Sequence, residues 1–184
     1  SDVTVLDPRE YFNTNRDYVW YYKTDTHWNS AGGYAAGQML IEALGGTPLP
    51  IEDVQVDYIK GAPGDLANLF HLPEKYCDDQ IALVSGYHED LEVTVQDVNG
   101  DKNIVLTSTP GAPDKRRIAV IRDSFGTALM DFLPRYFANV DFYHWQAFDR
   151  SLLEENPPDA VIYLIVERDL TRIPQDVGKM VPEE

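Results

Sequence analysis

The chain has 184 residues, 43% of them apolar, which suits one domain with a sizeable core. It carries 31 acidic and 15 basic side chains, a net charge of −16 that argues against nucleic acid and anionic membrane surfaces as partners. No apolar run reaches the ~20 residues of a membrane span, a lone cysteine (Cys77) excludes an internal disulfide, and neither a zinc-type Cys/His spacing nor a glycine-rich phosphate loop is present.

Taken in order, Val3–Leu6 reads as a short strand, and Asp7-Pro8 starts a turn or helix that runs to about Phe12. Tyr18–Tyr22 is aromatic and β-prone. A helix is expected over about Ala31–Leu44, with Asn29 or Ser30 as its N-cap and Gly45-Gly46 as its stop. Val54–Ile59 alternates like a strand. Gly61–Phe70 turns into a short helix, and residues 71–80 look irregular. Leu91–Gln96 and Asn103–Thr107 flank Asn99-Gly100, a strong hairpin signal that is read as a peripheral hairpin. A buried strand over 117–122 is followed by a helix over about 125–138, and Val140–Trp145 is a further strand. Asp149–Glu155 reads as a short helix with Asp149 as its cap. Ala160–Val166 is a continuous apolar run, expected to be a second buried strand, and residues 174–184 form a polar tail. Alternating strands and helices imply an α/β domain built on a parallel sheet with helices on both faces. One domain is expected over residues 1–184. The chain begins at Ser1-Asp2-Val3 without a Met, as a mature or excised segment would, so the lack of a signal peptide does not speak to its compartment.

The chemistry concentrates in two stretches. In Ile118–Gly126, four apolar residues run into Arg122-Asp123-Ser124-Phe125-Gly126. A serine at a strand-to-helix turn stands at the C-terminal edge of a sheet, where open α/β sheets place ligands. The N–H groups of a helix start favour a developing negative charge there. Those are two needs of an acyl-transfer nucleophile. The plainer reading is that Asp123 or Ser124 caps the helix, and caps are commoner than nucleophiles. The second stretch is Asp25-Thr26-His27-Trp28. In extended backbone, residues i and i+2 point the same way, so Asp25 can accept from His27 Nδ1 and leave Nε2 as the base for Ser124. As a plainer reading, Asp25 is a turn residue and His27 packs on Trp28. His71, His88 and His144 are rival bases.

Asp25-Thr26-His27-Trp28 before a glycine-containing helix, then Gly64-Asp65-Leu66, then Arg122-Asp123-Ser124-Phe125, then Val166-Glu167-Arg168-Asp169-Leu170, resembles the alginate O-acetyltransferase family of AlgX/AlgJ type. The resemblance runs over about residues 3–172. It implies an SGNH-hydrolase-like fold, with Ser124 as nucleophile, His27 as base and Asp25 as the partner that orients it. It also implies an exported, periplasmic or extracytoplasmic protein. Such a protein O-acetylates an exopolysaccharide beside a membrane-bound O-acyltransferase or biosynthetic complex that supplies the acetyl group. No cofactor is expected beyond the acetyl donor, and no metal. The family's strand–helix unit with a Gly-Trp-Leu-Phe-like segment does not precede Asp25-Thr26-His27-Trp28 here, and no carbohydrate-binding module follows, so a truncated or divergent member is expected. Alginate is strongly anionic, and at −16 the composition suits a neutral or weakly charged glycan better.

Within that reading, the Ser124 or Phe125 N–H is the natural oxyanion donor, with Asn68 and Arg122 as side-chain candidates. Trp28, Tyr143 and Trp145 are candidates to stack on sugar rings, or else core and rim aromatics. Arg168 is a substrate contact or a structural ion-pair partner. Arg116, Arg117, Arg122, Arg135, Arg150 and Arg168 fall close to Ser124 in sequence and form either a local positive patch in an acidic chain or ordinary surface arginines. Two other functions use the same residues: an acetyl-ester hydrolase with the same triad, and a non-catalytic module that binds glycan or a partner. A generic α/β binding domain with Ser124 as a cap is the third alternative.

Overall fold

The computed structural model describes residues 3–180, which divide into two compact units, one ending at Glu89 and one beginning at Asp90. Among the described residues no helix is long and apolar enough to cross a membrane.

In the first unit, residues 3–7 run without regular structure where a short strand was expected. Helix α1 (Arg9–Thr14) follows Pro8. Its Phe12 stacks on Trp20 with ring centroids 4.9 Å apart, and the Trp20 indole N–H donates to the Phe12 and Asn15 carbonyls. Helix α2 (Ser30–Ala43) is capped by Asn29, whose side-chain oxygen accepts the Ala31 and Gly32 N–H groups. The same amide donates to the Val19 carbonyl at 2.6 Å, so one buried side chain both starts the helix and holds the aromatic segment before it. Gly32 is required at this junction. A Cβ there would lie 2.5 Å from the Trp20 carbonyl oxygen and 2.8 Å from Trp28 Cβ. Strands β1 (Gln55–Ile59) and β2 (Ile81–Ser85) form an antiparallel pair, and α2 packs along β2. Between them lies the one-turn helix α3 (Asp65–Leu69).

The second unit is a five-stranded sheet in the order β3-β4-β6-β5-β7, made of β3 (Thr94–Asp97), β4 (Ile104–Ser108), β5 (Asp114–Arg122), β6 (Phe137–His144) and β7 (Ala160–Leu164). The three strands β6, β5 and β7 are parallel, whereas β3–β4 and β4–β6 are antiparallel. The sheet is therefore mixed rather than parallel. The Asn99-Gly100 hairpin is the reason: it is not peripheral but zips onto β6 through β4 and forms one edge of the sheet. Ile118, Val120, Val140 and Phe142 are fully buried, as expected of a central parallel pair. On the alternate face, Ala119, Ile121 and Tyr143 pack with Phe148 beneath Leu152 and Leu153 of α4 (Ser151–Glu155) and Met180 of α5 (Ile173–Met180).

Three further expectations are corrected. The helix over 125–138 is instead two runs of 3₁₀ turns, Ser124–Asp131 and Leu133–Arg135, and the chain is already in β6 by Phe137. The connection must return along the nine residues of β5, about 30 Å at strand rise. Residues 123–136 would cover only about 21 Å as an α-helix and about 28 Å at 3₁₀ rise. The apolar run 160–166 holds an edge strand, β7, and only Ile162 in it is buried, because β7 pairs with β5 alone. The polar tail folds over residues 173–180 as α5, and its last four positions lie outside the described residues. There Tyr163 and Arg172 both donate to the Asp176 carboxylate, at 2.6 and 2.8 Å.

Candidate active site

In the first unit the site is a loop held at both ends. The Tyr22 N–H donates to the His27 carbonyl, and Tyr21 and Trp28 form a β-bridge, so residues 22–27 close on themselves just before the α2 cap. The buried Asp78 accepts the Lys23 and Thr24 N–H groups at 2.7 and 3.2 Å. Within the loop, Asp25 Oδ1 lies 2.6 Å from His27 Nδ1 and also accepts the His27 N–H at 3.0 Å. A carboxylate can only accept, so Nδ1 carries the proton and Nε2 is the basic nitrogen. Asp25 Oδ2 accepts the Asp65 N–H at 3.1 Å. Burial pushes the Asp25 carboxyl up, but the hydrogen bonds from the His27 ring and from the Asp65 and His27 N–H groups outweigh it. The net effect holds Asp25 below the usual carboxylate range.

Asp65, which the sequence motif contained without a role, joins this pair. Its carboxylate accepts the Thr26 N–H at 2.8 Å and the Thr26 hydroxyl at 2.6 Å, and stands 3.9 Å from His27 Nδ1. Asp25, His27 and Asp65 thus offer three ligand-type atoms within 4.8 Å of one another. Their oxygens and the Nδ1 proton are already committed to hydrogen bonds, which a cation would have to displace. The histidines named as rivals differ in setting. His71 and His88 sit at positive φ, and His144 closes β6, where burial and then the Arg122 charge hold it below its ordinary value.

In the second unit β5 delivers Arg122, Asp123 and Ser124 to its C-terminal end. Arg122, Asp123, Phe125 and Gly126 are buried and Ser124 alone among them is exposed. Asp123 is the cap: Oδ1 accepts the Phe125 N–H at 2.9 Å and Oδ2 accepts the Val166 N–H at 2.7 Å, tying the turn to the segment after β7. The residue after the turn must be glycine, because a Cβ on Gly126 would lie 2.6 Å from Arg122 Cβ.

These contacts re-sort the candidates around Ser124. The Phe125 N–H is engaged by Asp123. Arg122 is buried and spends its guanidinium on the Lys102 and Asp123 carbonyls, so it locks the β3–β4 turn to the turn after β5 rather than facing solvent. Asn68 is on α3 in the first unit, where its amide donates back to the Gly64 carbonyl. Trp28 and Tyr143 are buried, which removes them as stacking platforms. Trp145 is half-buried with Arg172 over its ring at 4.0 Å and Lys179 at 5.7 Å. Arg168 is exposed and lies 5.6 Å from the Phe125 ring centroid. The positive patch is largely cancelled: Arg116 pairs with Asp114, Arg117 with Asp141 and Arg150 with Glu154. Asp78 had no signal in the sequence, since Asp78-Asp79 reads as a surface pair and only the fold buries one of them.

No family model matches the sequence, and no curated protein matches it. Solved structures do match. A DHHW family protein from Eubacterium siraeum has a TM-score of 0.73 at 15% identity, with 94% of this chain and 68% of that one covered. Bacillus cereus PatB1 carrying a sulfonyl adduct has a TM-score of 0.67 at 17% identity, with 88% and 66% covered. The O-acetyltransferase domain of Pseudomonas putida AlgJ reaches 0.46 at 19% identity, with 89% and 58% covered, and at that score adds no weight. This chain therefore spans about two thirds of the length of the first two proteins, and what it shares with them is an α/β fold.

Proposed function

We propose that the chain is an O-acetyltransferase that moves acetyl groups to hydroxyls of an exported polysaccharide through an acetyl-Ser124 intermediate, with His27 as base and Asp25 as its orienting partner. The observation that carries the reading is the 2.6 Å pairing of His27 Nδ1 with Asp25, which fixes the tautomer a general base needs. The exposed Ser124 on an otherwise buried turn supports it, as does the resemblance of the four motifs to the alginate O-acetyltransferases. In the first step His27 Nε2 takes the Ser124 hydroxyl proton as Oγ bonds to the acetyl carbon of an ester or thioester. The tetrahedral adduct then expels the donor's oxygen or sulfur, which leaves with the proton from His27. In the second step a sugar hydroxyl gives its proton to Nε2 and attacks the acetyl-serine. The Ser124 oxygen leaves and recovers that proton. The paired arginines and the net charge of −16 favour a neutral or weakly charged glycan over a polyanion.

Incubation with p-nitrophenyl acetate, followed by nitrophenol release and intact mass, tests the reading. One acetyl group is expected on the wild-type chain and none on Ser124→Ala or His27→Ala. A sulfonyl fluoride should add one sulfonyl group to Ser124. Added oligosaccharides then separate transfer from hydrolysis: acetylated sugar supports the transferase, and acetate alone supports the esterase. A folded protein that acetylates equally well in both variants would sink the proposal.

A further inference from the structure

The loop that carries Asp25 and His27 is held by a second carboxylate on a helix start forty residues away in sequence. Helix α3 has no side-chain cap of its own. Instead the four N–H groups at its start donate to the catalytic loop: Gly64 to the Thr24 hydroxyl at 2.9 Å, Asp65 to Asp25 Oδ2 at 3.1 Å, and Leu66 and Ala67 to the Thr24 carbonyl at 3.0 and 3.3 Å. The return contacts come from the Asp65 carboxylate, which takes both the N–H and the hydroxyl of Thr26, the residue between Asp25 and His27. The two segments approach this closely because residue 64 is glycine. A Cβ there would lie 2.5 Å from the Thr24 carbonyl oxygen and 2.6 Å from Asp25 Cβ.

We infer that Asp65 is a positioning residue of the acyl-transfer reaction, whose two bonds to Thr26 hold the Asp25 carboxylate and the His27 ring in one orientation. The inference rests on the reading of Asp25 and His27 given above. Asp25 has two oxygens to place. One must meet His27 Nδ1, and the other is pinned by the Asp65 N–H. The Gly64, Leu66 and Ala67 N–H groups anchor the α3 start to Thr24, and the Asp65 side chain extends that hold to Thr26, the one residue between Asp25 and His27. Release of that grip frees Thr26, and with it the backbone that sets the Asp25 carboxylate against the His27 ring. Asp65 touches no reacting atom in this scheme. It acts through Thr26 and Asp25.

The test uses the full chain with ¹⁵N-labelled histidine. The His27 ring signals among the four histidines are assigned by their loss in His27→Gln. Wild type should show a single Nδ1–H tautomer. Asp65→Ala should give mixed tautomers at His27 and slow the acetylation of Ser124 about 100-fold in kcat with little change in KM, the scale expected when a catalytic group is misplaced by about an ångström. Asp65→Asn should restore the single tautomer and most of the rate, since its amide can accept the Thr26 N–H and donate to the Thr26 hydroxyl. If Asp65→Ala does not fold, Thr26→Val, which removes one of the two bonds, must still broaden the tautomer signal. A folded Asp65→Ala protein with a wild-type His27 signal and rate would overturn the inference, as would equal losses in the Ala and Asn variants. Should Ser124 or His27 prove dispensable for acetylation, the acyl-transfer reading falls, and the tautomer readout still decides whether Asp65 positions His27.

Discussion

The two stretches proposed to carry the chemistry are built on opposite physical principles. Residues 23–27, which hold Asp25 and His27, lie outside any strand or helix. Their geometry comes from short-range hydrogen bonds, to Asp78 on one side and to Asp65 and the α3 start on the other. Ser124 sits at the end of a strand whose last five residues are buried, and Asp123 needs only two bonds to finish the turn. The first arrangement is polar and local, so each group in it matters to orientation more than to stability. The second is apolar and collective, so its geometry comes with the core.

The sharpest way to break the comparison is in the sheet. Phe142 is fully buried in the central strand beside β5, and Phe142→Ala should cost about 3–5 kcal/mol, read from urea unfolding. The His27 tautomer in the surviving native fraction should stay as in wild type. A loss below about 1 kcal/mol would show that β6 is less tightly packed than its burial indicates.

Gly64→Ala should show the reverse balance. The added methyl meets the Thr24 carbonyl and Asp25 Cβ and should cost about 1–3 kcal/mol, smaller than the core change. Its main effect should be on His27 orientation and on acetyl-enzyme formation. Unchanged acetylation in a Gly64→Ala protein would mean that the close approach of residues 24 and 64 is dispensable.

The smallest expected effect is the response to acid. Asp25 is held below the usual carboxylate range by the His27 ring and by backbone N–H groups. A depressed carboxylate contributes stability above its unfolded-state value, about 3.9, and that contribution is lost as pH falls through the folded-state value. Urea midpoints should therefore fall more steeply below about pH 4 in wild type than in Asp25→Asn. Since Asp25 is partly exposed, the difference should be modest. Parallel curves would indicate that the Asp25–His27 pair does not contribute to folding.

The α2 helix, the β5 strand, the Asn99-Gly100 hairpin and the pairing of Asp25 with His27 were all legible in the sequence, because each depends on residues close together in the chain. A cap, a turn dipeptide, an apolar run and an i, i+2 pair state their chemistry locally. What only the tertiary structure decided involves partners far apart. It placed the hairpin inside the sheet, made β7 an edge, replaced the helix after Ser124 by 3₁₀ turns to match the length of β5, and buried Arg122 against the Lys102 carbonyl. It also turned Asp65 and Asp78 from ordinary acidic residues into two supports of the Asp25–His27 loop. A carboxylate's role depends on which N–H groups the fold brings to it, and those N–H groups are 39 to 55 positions away.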